Sequence, residues 1–239
     1  MNYLSKKSLV KMILLKDIFH LFYPNLCTIC SQHLIENETV ICTFCRHDLP
    51  LTNFIDFSEN KVTQTFYGSF LLEKAFSLLF YRKKGSTQKL IHDLKYKGNE
   101  EIAVFFGNWL GEILKENQEF KTVDYIIPVP LHPKKLRERG YNQVTKFGEQ
   151  LYHHLQIPFI ENNLARISSS KTQTFKARFE RFRNLDTTFL LQNPSFFNNK
   201  HILLIDDVIT TGATLAACAK EFEKSKNCKI SILTMAYTE

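Results

Sequence analysis

The sequence of 239 residues lacks the features that mark membrane-spanning, secreted or repeat proteins. No run approaches the ~20 apolar residues that a membrane-spanning helix needs. The N-terminal stretch has lysines before a short apolar patch, but Lys16 and Asp17 interrupt the patch and no small-residue cleavage site follows. This pattern predicts an amphipathic helix rather than a secretion signal, and a cytoplasmic protein. Internal repeats and low-complexity linkers are also absent.

Two familiar phosphate-binding motifs are missing as well. The sequence contains neither GxxxxGK[ST] nor GxGxxG, which argues against a P-loop nucleoside triphosphatase and a Rossmann dinucleotide-binding domain. What is present is a hydrophobic fraction of 44%, typical of a globular protein, and a formal net charge of +7. This charge attracts polyanions at low salt but does not identify a partner, because an ordinary basic surface has the same composition.

Four of the six cysteines are arranged in two closely spaced pairs. Cys27, Cys30, Cys42 and Cys45 form a CxxC-x11-CxxC pattern, in which each pair places two thiolates on one tight turn. Two such turns together supply the four sulfur ligands of a tetrahedral structural zinc site. Two disulfides are the alternative, but they would need an oxidising compartment. The spacing therefore predicts one structural zinc.

The composition changes at about residue 53, where the cysteine-rich part ends. We therefore expect residues 1–52 to form an N-terminal helix and a zinc ribbon, and residues 53–239 to form a larger domain. Within the larger domain, "STQKLIHDLKYKG" predicts a helix with Ser86 as its N-cap and Gly98 as its stop, and "EEIAVFFGNWLGEIL" predicts a second helix. The apolar segment "FLLEKAFSLLFY" fits either a strand or a helix.

The C-terminal part predicts a strand, a helix and a second strand. The first strand covers residues 201–205, the helix covers residues 214–226, and the last strand follows in "KISILTMAYT". This order and spacing imply a right-handed crossover between parallel strands. The expected class is therefore an α/β fold with a mainly parallel sheet.

The loop between this strand and this helix has the residues of a ligand site. Asp206 and Asp207 follow the apolar strand, and hydroxyl-bearing and small residues come next: Thr210, Thr211, Gly212 and Thr214. A loop at the carboxyl end of a parallel strand presents free backbone N–H groups and the positive end of a helix dipole, which suit a phosphate. Ionised carboxylates instead accept hydrogen bonds from sugar hydroxyls. Together the two sets predict a site for a ribose phosphate.

Two further segments concentrate positive charge. The first carries four cations after a series of prolines: Lys134, Lys135, Arg137 and Arg139. It fits an anion-binding loop and an ordinary solvated loop equally well. The second, residues 166–183, contains six basic residues and one acidic residue. Phe175, Phe179 and Phe182 recur there at helical spacing, which favours a packed stripe over a base-stacking ladder.

The segment "ILLIDDVITTGAT" resembles the motif with which type I phosphoribosyltransferases bind phosphoribosyl pyrophosphate (PRPP). Other features narrow the resemblance: the two CxxC pairs, "LKYKG", "PVPLHPKKLRERGYNQ", and Gln173, Arg181, Asn184 and Phe189 in order. Together they resemble the ComF family of competence-associated, phosphoribosyltransferase-like proteins over nearly the whole chain. The resemblance implies a type I phosphoribosyltransferase fold with an N-terminal zinc ribbon.

The resemblance also implies roles for individual residues. Asp206 and Asp207 would hold the ribose hydroxyls and take part in any catalysis. The 5'-phosphate would lie on the loop made by Val208, Thr210, Thr211, Gly212, Ala213 and Thr214. The pyrophosphate would lie on Val129, Pro130, Lys134 and Arg137, with Mg²⁺ bridging its oxygens. A cis peptide bond before Val129 or Leu131 would be typical of that loop, and residues 166–184 would form a mobile hood over the site.

Three functions are compatible with these residues. The first is a PRPP-binding protein of the ComF type that works with machinery for DNA uptake or processing, with single-stranded DNA as a partner. The second is an active phosphoribosyltransferase that moves phosphoribose onto a nucleobase in salvage. The third is a zinc-ribbon nucleic-acid-binding protein whose larger domain senses nucleotides. We favour the first, in which zinc is structural and Mg²⁺ accompanies PRPP.

Overall fold

The computed structural model describes residues 24–117, 120–168 and 187–239. The predicted N-terminal amphipathic helix lies outside these residues, and so do residues 169–184, which are most of the predicted hood. The described chain separates into two compact units, with the boundary between Leu49 and Pro50.

Over its described residues, 24–49, the smaller unit consists of turns and one short helix. Helix α1 covers Thr43–His47. An isolated antiparallel bridge joins Leu26 and His33 across the turn that contains the first CxxC pair. The backbone N–H of Thr28 donates to the carbonyl of Val40 at 3.0 Å, which ties this turn to the segment just before α1. These contacts bring the two CxxC pairs together.

The larger unit is built on a four-stranded sheet in which all neighbouring strands are parallel. Its strands, in the order β1-β6-β5-β2, are β1 (Lys74–Phe80), β2 (Tyr125–Pro128), β5 (His201–Ile209) and β6 (Lys229–Tyr237). The remaining strands, β3 (Leu164–Ser168) and β4 (Thr187–Leu191), form a separate antiparallel pair. β5 and β6 are almost continuously apolar because a central parallel strand is buried on both faces.

Helices flank the sheet. They are α2 (Lys61–Gln64), α3 (Ser86–Tyr96), α4 (Glu101–Glu116), α5 (Pro133–Arg139), α6 (Thr145–Leu155), α7 (Ala213–Phe222) and a short 3-10 helix, Pro194–Phe197. α4 and α6 approach closely at Gly111, where an added Cβ would lie 2.6 Å from the ring of His154. None of the helices in the described chain is both long and apolar enough to span a bilayer. The parallel sheet flanked by helices confirms the predicted α/β class.

The boundaries of the C-terminal elements differ from the prediction. β5 does not end before the two aspartates but continues through them to Ile209, because it stays paired with β6 as far as Tyr237. α7 begins one residue earlier than predicted, at Ala213, and ends at Phe222 rather than at residue 226. The predicted order of strand, helix and parallel strand is confirmed.

Two other local predictions need correction. Ser86 is the first residue of α3 and not its N-cap, because the chain is extended at Gly85, which takes the cap position. The proline-rich basic segment is not a loop throughout. Pro133 begins helix α5, since its fixed φ suits the first helical turn and its missing N–H is not needed there. The ambiguous apolar segment around Leu78 is strand β1.

Candidate functional site

The four cysteines of the smaller unit converge on one point. The sulfur atoms of Cys27, Cys30, Cys42 and Cys45 all lie within 4.8 Å of one another. The sulfurs of Cys30 and Cys42 are 3.7 Å apart, so the two pairs face each other. A tetrahedral metal with metal–sulfur bonds of ~2.3 Å holds its sulfur ligands about 3.8 Å apart. The predicted four-cysteine cluster is confirmed, and it can bind a metal such as zinc.

The electrostatics of the cluster also fit a cation. Burial opposes ionisation of the Cys27 thiol, but backbone N–H groups from Cys30 and Cys42 outweigh it and lower the pKa of Cys27 to about 6. Burial and the neighbouring sulfurs raise the pKa of Cys45. Four sulfurs this close cannot all ionise unless a cation neutralises them. Because all four ligands come from the protein, no position is left for water, as in structural sites.

In the larger unit, a cavity of about 530 Å³ lies at the carboxyl edge of the sheet. Its walls come from the segments after β1 and β2, from the end of β5, and from α3, α5 and β3. Parallel α/β sheets bind their ligands at this edge because the loops of neighbouring strands meet there. Four cations and two carboxylates are part of the lining: Lys95, Lys135, Arg139, Arg166, Asp206 and Asp207. The cavity is therefore suited to an anionic ligand that also carries hydrogen-bond donors.

Asp207 is the buried member of the acid pair. Its residue is only 3% exposed, and its Oδ1 lies 2.7 Å from Nζ of Lys95. Its Oδ2 is buried and has no hydrogen-bond partner among the described residues. Leaving a buried acceptor unsatisfied costs on the order of 1–3 kcal/mol. A hydroxyl group or a cation bound at this oxygen would recover that free energy.

Asp206 has a different environment from its neighbour. Its Oδ1 accepts a hydrogen bond of 2.8 Å from the backbone N–H of Asp207. Loss of solvent, and then the negative charge of Asp207, raise the pKa of Asp206 to about 8 against the opposing effects of Lys95 and Arg166. A carboxyl group with a strongly raised pKa in a cavity is typical of a functional site.

The threonine-rich loop turns the chain from β5 into α7 beside the acid pair. Thr210 and Thr214 line the cavity, and Thr211 accepts a hydrogen bond of 3.4 Å from the first helical N–H through its Oγ1. Gly212 has a φ of +71°, and an added Cβ would lie 2.8 Å from the ring of Phe66. Glycine therefore fits this turn on both counts. The first turn of α7 leaves backbone N–H groups without intrahelical partners, which suits a phosphate.

The structure brings most of the predicted PRPP-binding residues to this cavity. Those that line it are Val129, Pro130, Asp206, Asp207, Val208, Thr210 and Thr214. Thr211, Gly212 and Ala213 form the turn and the helix start behind them. Lys134 and Arg137 are not among the lining residues. The described residues contain no cis peptide bond, so the expectation of one before Val129 or Leu131 is wrong.

Helix α5 explains why two of the predicted cations lie outside the cavity. Residues four apart share one face of a helix, so Lys135 and Arg139 line the cavity together. Lys134 belongs to the neighbouring face, where its Nζ lies 4.0 Å from Oε1 of Glu138 and its side chain is 75% exposed. Arg137 is exposed as well. The cations that α5 contributes to the cavity are therefore Lys135 and Arg139, one and two positions beyond the predicted pair.

Helix α3 contributes to the cavity although no motif predicted it. Lys95 and Tyr96 line the cavity, and Lys95 provides the ion pair to Asp207. Both belong to "LKYKG", which pointed to the family but not to the site. Arg166, the first residue of the basic segment 166–183, also lines the cavity, and its guanidinium lies 5.3 Å from the ring centre of Phe189.

The segment "RGYNQ" holds these elements together. The Arg139 guanidinium lies 5.1 Å from the ring centre of Tyr96 and donates a hydrogen bond of 2.9 Å to Oε1 of Gln143. The Tyr141 hydroxyl donates to the carbonyl of Leu94 at the end of α3. Asn142 Nδ2 donates to the carbonyl of Val129 in the loop after β2, at 3.1 Å. These contacts fix α3, α5 and that loop around the cavity.

Curated relatives of this chain carry names from DNA uptake and use. It is 36% identical over 111 residues to Competence protein F of Haemophilus influenzae, covering 46% of this chain and 48% of that protein. It is 31% identical over 134 residues to DNA utilization protein YhgH of Salmonella typhimurium, covering 55% and 58%. It is 32% identical over 132 residues to Competence protein ComFC of Streptococcus pneumoniae, covering 55% and 54%. The chain thus spans about half the length of these relatives, and the predicted resemblance to ComF proteins is confirmed over that part.

Comparisons of structure found phosphoribosyltransferases, whereas no family model matches the sequence. An adenine phosphoribosyltransferase of Trypanosoma brucei superimposes with a TM-score of 0.40 and 12% identity, covering 68% of this chain and 83% of that one. An adenine phosphoribosyltransferase from Leishmania tarentolae gives a TM-score of 0.37 and 14% identity, covering 59% and 73%.

Proposed function

We propose that this chain is a PRPP-binding, phosphoribosyltransferase-like protein of the ComF type that works with DNA uptake or DNA processing. One observation carries the proposal: an acid pair, a threonine-rich turn at a helix start and a set of cations line a single cavity at the carboxyl edge of a parallel sheet. A ribose ring with a phosphate at one end and a pyrophosphate at the other has the complementary groups. The names of the curated relatives support the link to DNA.

Each part of PRPP has a matching set of residues. The carboxylates of Asp206 and Asp207 would accept hydrogen bonds from the ribose hydroxyls. The hydroxyls of Thr210 and Thr214, with the N–H groups at the start of α7, would hold the 5'-phosphate. Lys135 and Arg139 would bind the pyrophosphate beside Val129 and Pro130, in place of Lys134 and Arg137. Bound Mg²⁺ would offset the negative charge of the pyrophosphate oxygens.

The smaller unit would hold a structural zinc ion through Cys27, Cys30, Cys42 and Cys45. Their mutual distances support this assignment, and so does their number, because four protein ligands leave no tetrahedral position for water. A cluster of free thiols binds metal only when it is kept reduced, which fits a cytoplasmic protein.

An active phosphoribosyltransferase is the second candidate, and one observation favours it. Asp206 has a pKa raised to about 8 in the cavity, and a carboxyl group with such a pKa can exchange a proton near neutral pH. The enzyme and the binding protein would share the PRPP site and differ in whether a nucleobase reacts there. A zinc-ribbon nucleic-acid-binding protein with a nucleotide-sensing domain is the third candidate; the four-cysteine cluster and the net charge of +7 are compatible with it, but neither is specific.

Two measurements on one preparation test the proposal. PRPP with Mg²⁺ should raise the free energy of unfolding of the wild type, by about 2.7 kcal/mol at a ligand concentration of about 100 Kd. The double variant Asp206→Asn and Asp207→Asn should fold but show no such stabilisation, whereas Asp48→Asn, in the smaller unit, should behave as the wild type. A screen for pyrophosphate release with a panel of nucleobases then separates the enzyme from the binding protein.

A further inference from the structure

A second, smaller cavity of about 230 Å³ lies beside the first one. The two cavities share four residues, which are Lys95, Tyr96, Lys135 and Arg139. The smaller cavity adds Gly98, Glu138 and Tyr141, and includes none of the acid pair or the threonine loop. These four shared side chains, three cations and one tyrosine, therefore form a wall between the proposed PRPP site and the smaller cavity.

The lining of the smaller cavity defines the chemistry of its ligand. Among the residues that the structure describes, its lining consists of three cations, one carboxylate, two tyrosines and one glycine, with no aliphatic side chain. An apolar ligand would find no complementary surface there, whereas an anion would meet a net positive charge. The volume is below the ~300–1,000 Å³ of pockets for drug-sized ligands, so the cavity fits a phosphate group and part of its sugar.

The walls of this cavity are held in place before any ligand binds. Tyr141 is anchored by its hydrogen bond to the carbonyl of Leu94, and Gly140, with a φ of +81°, ends α5 and turns the chain back toward α3. Arg139 is fixed by Gln143, which is buried. Because these groups are already positioned, binding an anion would not require them to lose much conformational freedom.

We propose that the smaller cavity is a second phosphate subsite, which holds the phosphate ester of a nucleotide while PRPP occupies the larger cavity. Lys135 and Arg139 bind phosphate oxygens from either side of the shared wall, and the exposed Tyr96 ring borders the ligand. The ligand is a free nucleotide or a nucleotide of a nucleic-acid strand, which present the same group. Its role as a partner of PRPP rests on the proposed function, but phosphate binding at this cavity does not.

Glu138 provides the test, because it lines the smaller cavity and not the larger one. Thymidine 5'-monophosphate and a fluorescein-labelled oligothymidylate serve as probes at low salt, with PRPP and Mg²⁺ titrated separately. Glu138→Gln removes the one negative charge of the cavity and should tighten probe binding about threefold, and Glu138→Lys about tenfold. PRPP affinity should not change. Glu116→Gln, an equal charge change at the end of α4 and outside both cavities, is the matched control.

Glu138 also lies 4.0 Å from Lys134, so the comparison is repeated in a Lys134→Gln background to exclude an effect of the released lysine. If the Glu138 variants bind both probes more tightly than the wild type, the ligand is a free nucleotide. If they bind only the oligothymidylate more tightly, the ligand is a nucleic-acid strand. The proposal is overturned if neither probe responds, if Glu116→Gln gives the same gain, or if PRPP affinity rises in parallel. If PRPP fails to bind even the wild type, the proposed function falls, while the two probes still decide whether the subsite exists.

Discussion

Two adjacent carboxyl groups, Asp206 and Asp207, line the larger cavity, and their environments differ. Asp207 is buried against Lys95 and keeps one oxygen without a hydrogen-bond partner in the described chain. Asp206 is desolvated and close to the charge of Asp207, so its ionised form is disfavoured. A ligand that brings hydroxyl donors or a cation to this pair relieves both penalties. This arrangement supports the proposal that the pair binds a ligand.

The raised pKa of Asp206 predicts how stability depends on pH without ligand. The pKa rises from 3.8 in the unfolded chain to about 8 in the fold, so between these values the folded state binds the proton more tightly. This contribution to stability is fully present below the lower value and is lost as the pH rises through about 8. Asp206→Asn should therefore flatten the fall in the free energy of unfolding between pH 5 and pH 7 (about one pH unit inside each limit).

Urea unfolding of the wild type and the Asp206→Asn variant across this pH range checks the prediction, because groups away from the acid pair titrate equally in both. Asp56→Asn, an exposed position, serves as the control. If the free energy of unfolding depends on pH in the same way in the wild type and in the Asp206→Asn variant, Asp206 is not desolvated in the folded protein.

At the scale of elements, the helical geometry of α5 decides which cations reach the cavity. Lys135→Gln and Arg139→Gln should each weaken PRPP binding about tenfold or more, since a hydrogen bond to a charged group contributes about 1.5–3 kcal/mol. Lys134→Gln and Arg137→Gln remove the same charges one and two positions away and should change the affinity by less than about twofold. Equilibrium dialysis with labelled PRPP measures all four. The opposite ranking would mean that α5 has another orientation when PRPP is bound.

The same elements show what the sequence could predict. The crossover of strand, helix and strand followed from one apolar run, two acids and a threonine-rich turn, which are all local signals. Helix α5 was missed because three nearby prolines indicated a loop, although Pro133 is at the one helical position that proline favours. Lys95 was missed because it reaches Asp207 from a helix more than a hundred positions earlier, a tertiary contact that no local pattern encodes.

At the scale of the whole molecule, the two compact units have different sources of stability. The part of the smaller unit that the structure describes has turns, one short helix and the cysteine cluster, whereas the larger unit has a buried parallel sheet. We predict one zinc ion per chain in the reduced protein. Cys30→Ser should abolish zinc binding, and Cys228→Ser, outside the cluster, should not. Metal analysis and free-thiol titration measure the wild type and both variants. A wild-type protein that contains disulfides instead of zinc would refute the assignment.

Removal of the metal extends this prediction. Because a four-thiolate site folds with its metal, a chelator should unfold the smaller unit while the larger unit keeps most of its structure. Hydrogen exchange resolved along the chain measures this separately for residues 24–49 and 50–239. Equal loss of protection in both parts would show that the larger unit depends on the metal as well.

The net charge of +7 also acts on the whole molecule. If single-stranded DNA is a partner, its affinity should fall steeply with salt because lysine and arginine side chains release counterions from the phosphates. Charge reversal at Lys176 and Arg178, which lie outside the described residues, should weaken binding to every sequence and leave the zinc content unchanged. Fluorescence anisotropy over a salt series measures this. No binding at low salt would remove DNA as a direct partner and favour the enzyme.

The most direct test of the central claim is a calorimetric titration of PRPP with Mg²⁺ into the wild type and into the variant with both Asp206→Asn and Asp207→Asn. Circular dichroism on the same samples verifies that the variant is folded. We predict a saturable binding isotherm with one site per chain for the wild type and no measurable heat of binding for the folded variant. No binding to the wild type, or equal binding to both proteins, would contradict the assignment of this cavity as a PRPP site.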